Sequence, residues 1–114
     1  MTYETPHRLR AKEADMITEI ATLTIDPARA ADFESAVAAA APYFQAADGC
    51  HGMSLEKIIE TPGIYNLRVL WETVDHHMIT FRDSENFQKW RALAGPFFTD
   101  APKVVHGETI GTYF

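Results

Sequence analysis

At 114 residues with a formal net charge of -6, the chain is long enough for one well-buried core and too short for two. A hydrophobic fraction of 46% with 23% charged residues excludes a disordered or collagen-like chain, and one cysteine, Cys50, excludes an internal disulfide framework. The acidic balance argues against nucleic acid and anionic membrane partners, because phosphate binding needs a basic face.

Residues 1–14 mix Arg8, Arg10 and Lys12 with Glu4 and Glu13 without a clean period, which predicts a flexible N-terminal arm ahead of a domain spanning 15–114. The same stretch has no apolar core of the kind a secretory signal needs, and no apolar run reaches the roughly 18 residues of a membrane span. A cytoplasmic location with no membrane partner is the resulting expectation.

From Met16 to Ile25, Ile17, Ala21, Leu23 and Ile25 alternate with Thr18, Thr22 and Thr24, the signature of a strand with one buried face. Asp26-Pro27 then opens a helix, since aspartate caps free amides and proline suits the first helical position. Phe33, Val37, Ala40, Ala41 and Phe44 recur at helical spacing and predict one apolar stripe. Pro42 is expected to kink or interrupt this helix, and Asp48-Gly49 to stop it.

Met53, Leu55 and Ile59 oppose Ser54, Glu56 and Glu60, giving a second strand over 50–60. After the turn Thr61-Pro62-Gly63, a third strand over 64–73 places Tyr65, Leu67, Val69 and Trp71 on one face and Asn66, Arg68, Leu70 and Glu72 on the other. The short connection makes these two an antiparallel hairpin. A short helix over 74–81 follows, then a second capped by Asp83-Ser84 whose stripe is Phe87, Trp90 and Ala94. The last strand covers 103–114, with Val104, His106, Ile110, Thr112 and Phe114 on a common face.

The order strand, helix, strand, strand, helices, strand predicts an α+β, ferredoxin-like split βαβ fold with a four-stranded antiparallel sheet and its helices on one face. Ile58, Ile64 and Leu70 fall on the uncovered side. A second copy is the simplest cover, so a homodimer closing two sheets into an α/β barrel is expected.

Gly49-Cys50 opening the second strand, Trp71-Glu72 closing the third, a histidine-bearing helix, and Phe81-Arg82-x-Ser84-x-x-Phe87-x-x-Trp90 together make a pattern. Over about residues 16–114 it resembles the antibiotic biosynthesis monooxygenase family. The resemblance implies a dimeric barrel and, by its known members, either a cofactor-free oxygenase of anthrones and quinols or a haem-degrading enzyme. The haem branch uses an asparagine on the first strand, and Met16 to Ile25 contains none. Asn66, the nearest match to an asparagine of the anthrone branch, lies an odd number of positions from Trp71 and so points to the other sheet face.

No G-x-G-x-x-G or P-loop occurs, so no flavin, nicotinamide or other cofactor is expected, and the substrate's own electrons must reduce dioxygen. Adjacent His76 and His77 diverge around a helix and no H-x-x-x-H or C-x-x-C pair exists, so no metal site is expected. His77, four residues before Phe81, is the first candidate for a base, with exposed helix histidines as the alternative. Arg82 is either an anion stabiliser or a surface partner of Asp83 or Glu85. Trp71 joins His77 and Arg82 as a candidate catalytic residue walling the pocket, with plain core packing as the alternative; Phe81 and Tyr65, the latter on the face of Trp71, are candidate substrate-binding residues, and His106 is either a structural or a substrate-binding residue.

These residues predict a cofactor-independent monooxygenase acting with O2 on a small aromatic substrate, quinol-like or polycyclic phenolic. A non-catalytic small-molecule-binding or stress-related barrel is the alternative.

Overall fold

The computed structural model describes residues 15–114; the arm expected over 1–14 lies outside them. Four strands form one antiparallel sheet: β1 (Ile17–Thr24), β2 (Cys50–Lys57), β3 (Ile64–Trp71) and β4 (Lys103–Glu108), in the order β2-β3-β1-β4. Helices α1 (Ala30–Gln45) and α2 (Glu85–Ala94) pack on one face, and a π-helical segment, His76–Phe81, links β3 to α2. This is the ferredoxin-like α+β fold that the element order predicts.

Strand alternation decides which residues meet the helices. In β1 every odd position from Ile17 to Leu23 is buried, and in β3 Tyr65, Leu67, Val69 and Trp71 are buried in the same way. Against them α1 lays Phe33, Val37, Ala40 and Phe44, and α2 lays Trp90 and Ala94. Phe44 and Trp90 meet edge to face with ring centroids 5.1 Å apart, joining the helices over the sheet.

The caps are those the sequence signals. Asp26 accepts from the amide of Ala28 at 2.9 Å, and Ser84 accepts from Phe87 at 3.3 Å. Gly49 takes φ +79 and lies against the His76 ring, where a Cβ would clash, so glycine is required for both conformation and space.

Several expectations give way. Helix α1 runs through Pro42 without a break: the bond lost belongs to Ala38, which is exposed, so water can take its carbonyl. Ala41 is likewise exposed and lies off the buried stripe. Strand β2 ends at Lys57, not Glu60, because Ile58 already turns back to the carbonyl of Ile64, leaving Ile59 exposed. The third strand stops at Trp71, two residues early. Strand β4 ends at Glu108, whose partner is Ile17, the first residue of β1. Past that pair, alternation alone has no ladder to join, and Ile110 and Phe114 are exposed.

Candidate functional site

The polar centre of the molecule is Glu19. It occupies an inward position of β1, between Val69 of β3 and His106 of β4 in the ladder, and is only 5% exposed. Its Oε1 accepts from Trp71 Nε1 at 2.9 Å and lies 3.2 Å from His77 Nε2. His77 Nδ1 in turn lies 2.9 Å from His106 Nε2. Trp71, Glu19 and His77, all buried, therefore form one chain with the partly exposed His106.

The protons in that chain are correlated. An indole N–H can only donate, so Oε1 is an acceptor from Trp71. If His77 carries its proton on Nε2, it donates to Oε1 and its Nδ1 accepts from His106; if Glu19 is protonated on Oε1, both bonds reverse. Either way Oε1 is occupied, and Oε2 has no partner among the described residues.

Burial raises the Glu19 carboxyl to about 7, opposed by the Trp71 hydrogen bond and by the charge of Arg82. Burial, then Arg82 and His106, lowers His77 to about 4. His106 is lowered by burial and by Arg82. The short Glu19–His77 contact is accordingly a shared hydrogen bond within a coupled pair, not a carboxylate–imidazolium ion pair.

Glu19 lies in the floor of a cavity of about 580 Å³ between sheet and helices. Its walls include Phe44, Phe81, Phe87, Trp90 and Phe98, and its charged lining is Glu19, Arg82 and Arg91, beside His77. Arg82 Nε is buried without a hydrogen-bond partner among the described residues. Few polar groups converging in an aromatic cavity is the usual composition of a small-molecule site.

The pattern of antibiotic biosynthesis monooxygenases matches residues 16–93. The chain belongs to that family. It is 37% identical over 95 residues to the uncharacterized protein YczJ of Bacillus subtilis (strain 168), covering 83% of this chain and 100% of that one. A Bordetella bronchiseptica crystal structure named "Putative antibiotic biosynthesis monooxygenase" superposes with TM-score 0.82 at 50% identity, covering 83% of this chain and 97% of that chain. The fold is also that of SnoaB, a cofactor-independent oxygenase from Streptomyces nogalater, with TM-score 0.70 at 19% identity, covering 86% and 96% of the two chains.

Within this family member, His77, Phe81 and Arg82 come together at the cavity. The wide turn of the π-helical segment buries both His77 and Phe81, and such segments often accompany functional sites. Trp71 is fully buried and does not line the cavity; it stacks on His77 at 5.4 Å and holds Glu19. His106 stands behind His77. Tyr65 is not brought to the cavity: its hydroxyl donates to Glu34 at 2.6 Å, and burial, reinforced by Glu34, pushes it up to about 12. Asn66 accepts from Thr22 at 3.0 Å on the opposite sheet face, as strand parity requires.

Glu19 is the residue sequence reasoning missed, although its signal was present: a carboxylate at an odd position among the buried odd positions of the first strand. Asp48, Glu72 and His76 also bring ligand atoms within 4.8 Å of one another, a long-range grouping that no local spacing reveals. His76 there is already bonded to Thr73 at 2.8 Å and Glu72 faces His51 at 3.4 Å, and none of these residues lines the cavity.

The two shifted groups oppose each other in stability. Between pH 4.5 and about 7 the folded protein keeps a proton on Glu19 that the unfolded chain releases, so this group lowers stability as pH rises. Between about 4 and 6.5 the unfolded chain protonates its histidine while folded His77 stays neutral, so His77 raises stability with pH. Glu19→Gln removes only the first slope. The melting temperature of the variant minus that of the parent should therefore rise steadily from pH 4.5 to 6.5; a flat difference contradicts the assignment.

Proposed function

We propose that this protein is a cofactor-independent monooxygenase that oxidises a quinol-like or polycyclic phenolic substrate with dioxygen. The observation that carries the reading is the Glu19 carboxyl, with Oε1 held by Trp71 and His77, Oε2 unpartnered, and a pKa of about 7. A general base works best when its pKa lies near the working pH. The accepting atom in this proposal is Glu19 Oε2, with His77 as the other half of the pair. His77 alone, lowered to about 4, is a weaker base.

For an anthrone-type ring CH2, Oε2 takes one proton and the resulting anion spreads its charge onto the ring oxygen, which Arg82 stabilises. The anion gives one electron to O2, and the radical pair recombines to a peroxide at the same carbon. The proton on Oε2 passes to the distal peroxide oxygen. Loss of the second carbon-bound proton then breaks the O–O bond and leaves a carbonyl and water. One oxygen atom enters the product and the other leaves as water, so no outside reductant is needed. Phe81 and its aromatic neighbours orient the ring and exclude water.

The protein acts as a homodimer in this proposal. All helices lie on one sheet face, whereas Ile20, Ile64 and Leu70 are only half-buried on the other and Val105 is 60% exposed. Two copies meeting through this face would cover it by a self-complementary contact.

Oxygen uptake with a panel of quinols and anthrones tests the activity. Turnover should rise with pH through about 7 and fall on the order of 10²-fold or more in Glu19→Gln; an inactive parent across the panel, or undiminished turnover in the variant, rejects the oxygenase reading and leaves a binding protein. For the dimer, sedimentation should give two copies for the parent and one for Val105→Asp. A monomeric parent contradicts it.

A further inference from the structure

We infer that the ligand of this cavity carries a permanent anionic substituent, a carboxylate on a fused aromatic ring system, gripped by Arg82 and Arg91. The inference rests on reading the cavity as the substrate site and adds a feature that proton abstraction does not require.

The first ground is an unmet hydrogen-bonding demand. Arg82 Nε is buried and lacks a partner, and neither Arg82 nor Arg91 pairs with a carboxylate among the described residues. Asp83 and Glu85, the surface partners its position in the sequence offers, form no such pair. A buried guanidinium donor without an acceptor is destabilising, and in a native protein it is satisfied by an ordered water or by a ligand atom; a cavity that Arg82 itself lines gives a ligand access to it. A carboxylate is the acceptor whose planar geometry matches the guanidinium fork.

The second ground is charge. The whole chain carries -6, yet the charged lining of the cavity is two arginines against one carboxyl. The cavity is therefore a positive spot on an acidic protein, which draws anions inward while the remaining surface repels them.

The third ground is the division between the two arginines. Arg82 acts on Glu19, His77 and His106, shifting all three, and Arg91 is not among the causes of those shifts. Arg91 is exposed, with its guanidinium 5.9 Å from the centre of the Phe87 ring. A charge developing only at the reacting atom would call on Arg82 alone. A second cation in the same lining, on an exposed residue, suits a fixed anionic group shared between the two guanidiniums. The volume of about 580 Å³ and the Phe87 and Trp90 rings in its lining accommodate a two- or three-ring aromatic skeleton.

The probes are 2-naphthoate and its neutral counterpart 2-naphthamide, which match in shape and are not quinols, so binding is read without turnover. By titration calorimetry without oxygen at pH 8, the parent should bind naphthoate about tenfold or more tighter than naphthamide, as charge-assisted hydrogen bonds imply. Arg82→Gln should reduce that ratio to about twofold or less. Arg91→Gln, at an exposed position where folding is not at stake, should reduce it partially, and added salt should weaken only the naphthoate. Equal affinities in the parent, failure of both probes to bind at millimolar concentration, or a ratio unchanged in both variants overturns the inference. Because no oxidation is measured, this outcome is independent of whether the oxygenase reading holds.

Discussion

A carboxyl group on the apolar face of a sheet must be satisfied where it lies, and Glu19 imposes that demand at the centre of this molecule. An isolated buried carboxylate would cost several kcal/mol or more, and a protein meets that cost by neutralising the group or surrounding it with donors. Both responses are visible here: the pKa rises to about 7, and Trp71 and His77 converge on a single oxygen. Trp71 and His77 both lie on Oε1, and Oε2 has no partner among the described residues.

The surrounding architecture follows from that arrangement. Trp71 reaches Glu19 because it is the last residue of β3 and pairs with Ile17, two positions along the same face. His106 sits directly across from Glu19 on β4. The π-helical segment bridges these strands to α2 and brings the His77 ring parallel to the indole, at 17° between planes. Phe81, on the same segment, packs against both Trp71 and Phe44 at centroid distances of 5.1 and 4.9 Å. Packing thus fixes the side chains that hold the carboxyl, the kind of support a preorganised site requires.

The fold was legible because its signals are local. Odd–even alternation in β1 and β3, the Asp26 and Ser84 caps, and the glycine stop at Gly49 each depend on a few neighbouring residues. Alternation failed where it outran the ladder, at Ile59 and beyond Glu108, because a strand also needs a partner. The site was legible only in part. His77, Phe81 and Arg82 lie close in sequence and meet at the cavity, and parity correctly removed Asn66. The His77–His106 contact spans 29 positions and the Trp71–Glu19 bond spans 52; no spacing rule reaches them. Tyr65 shared the face of Trp71 but sits lower in the strand, where Phe33 and Glu34 of α1 engage it instead. Glu19 itself required only the observation that one inward position of an apolar strand face was charged.

The central claim is that this carboxyl is poised near neutrality by its burial. Carbon-13 NMR of side-chain-labelled glutamate, with Glu19 assigned by its absence in Glu19→Gln, follows its titration directly. A midpoint near pH 7, accompanied by a matching shift in the His77 ring resonances, is the predicted result. A midpoint below pH 5 would show an ordinary solvated carboxylate and contradict the account.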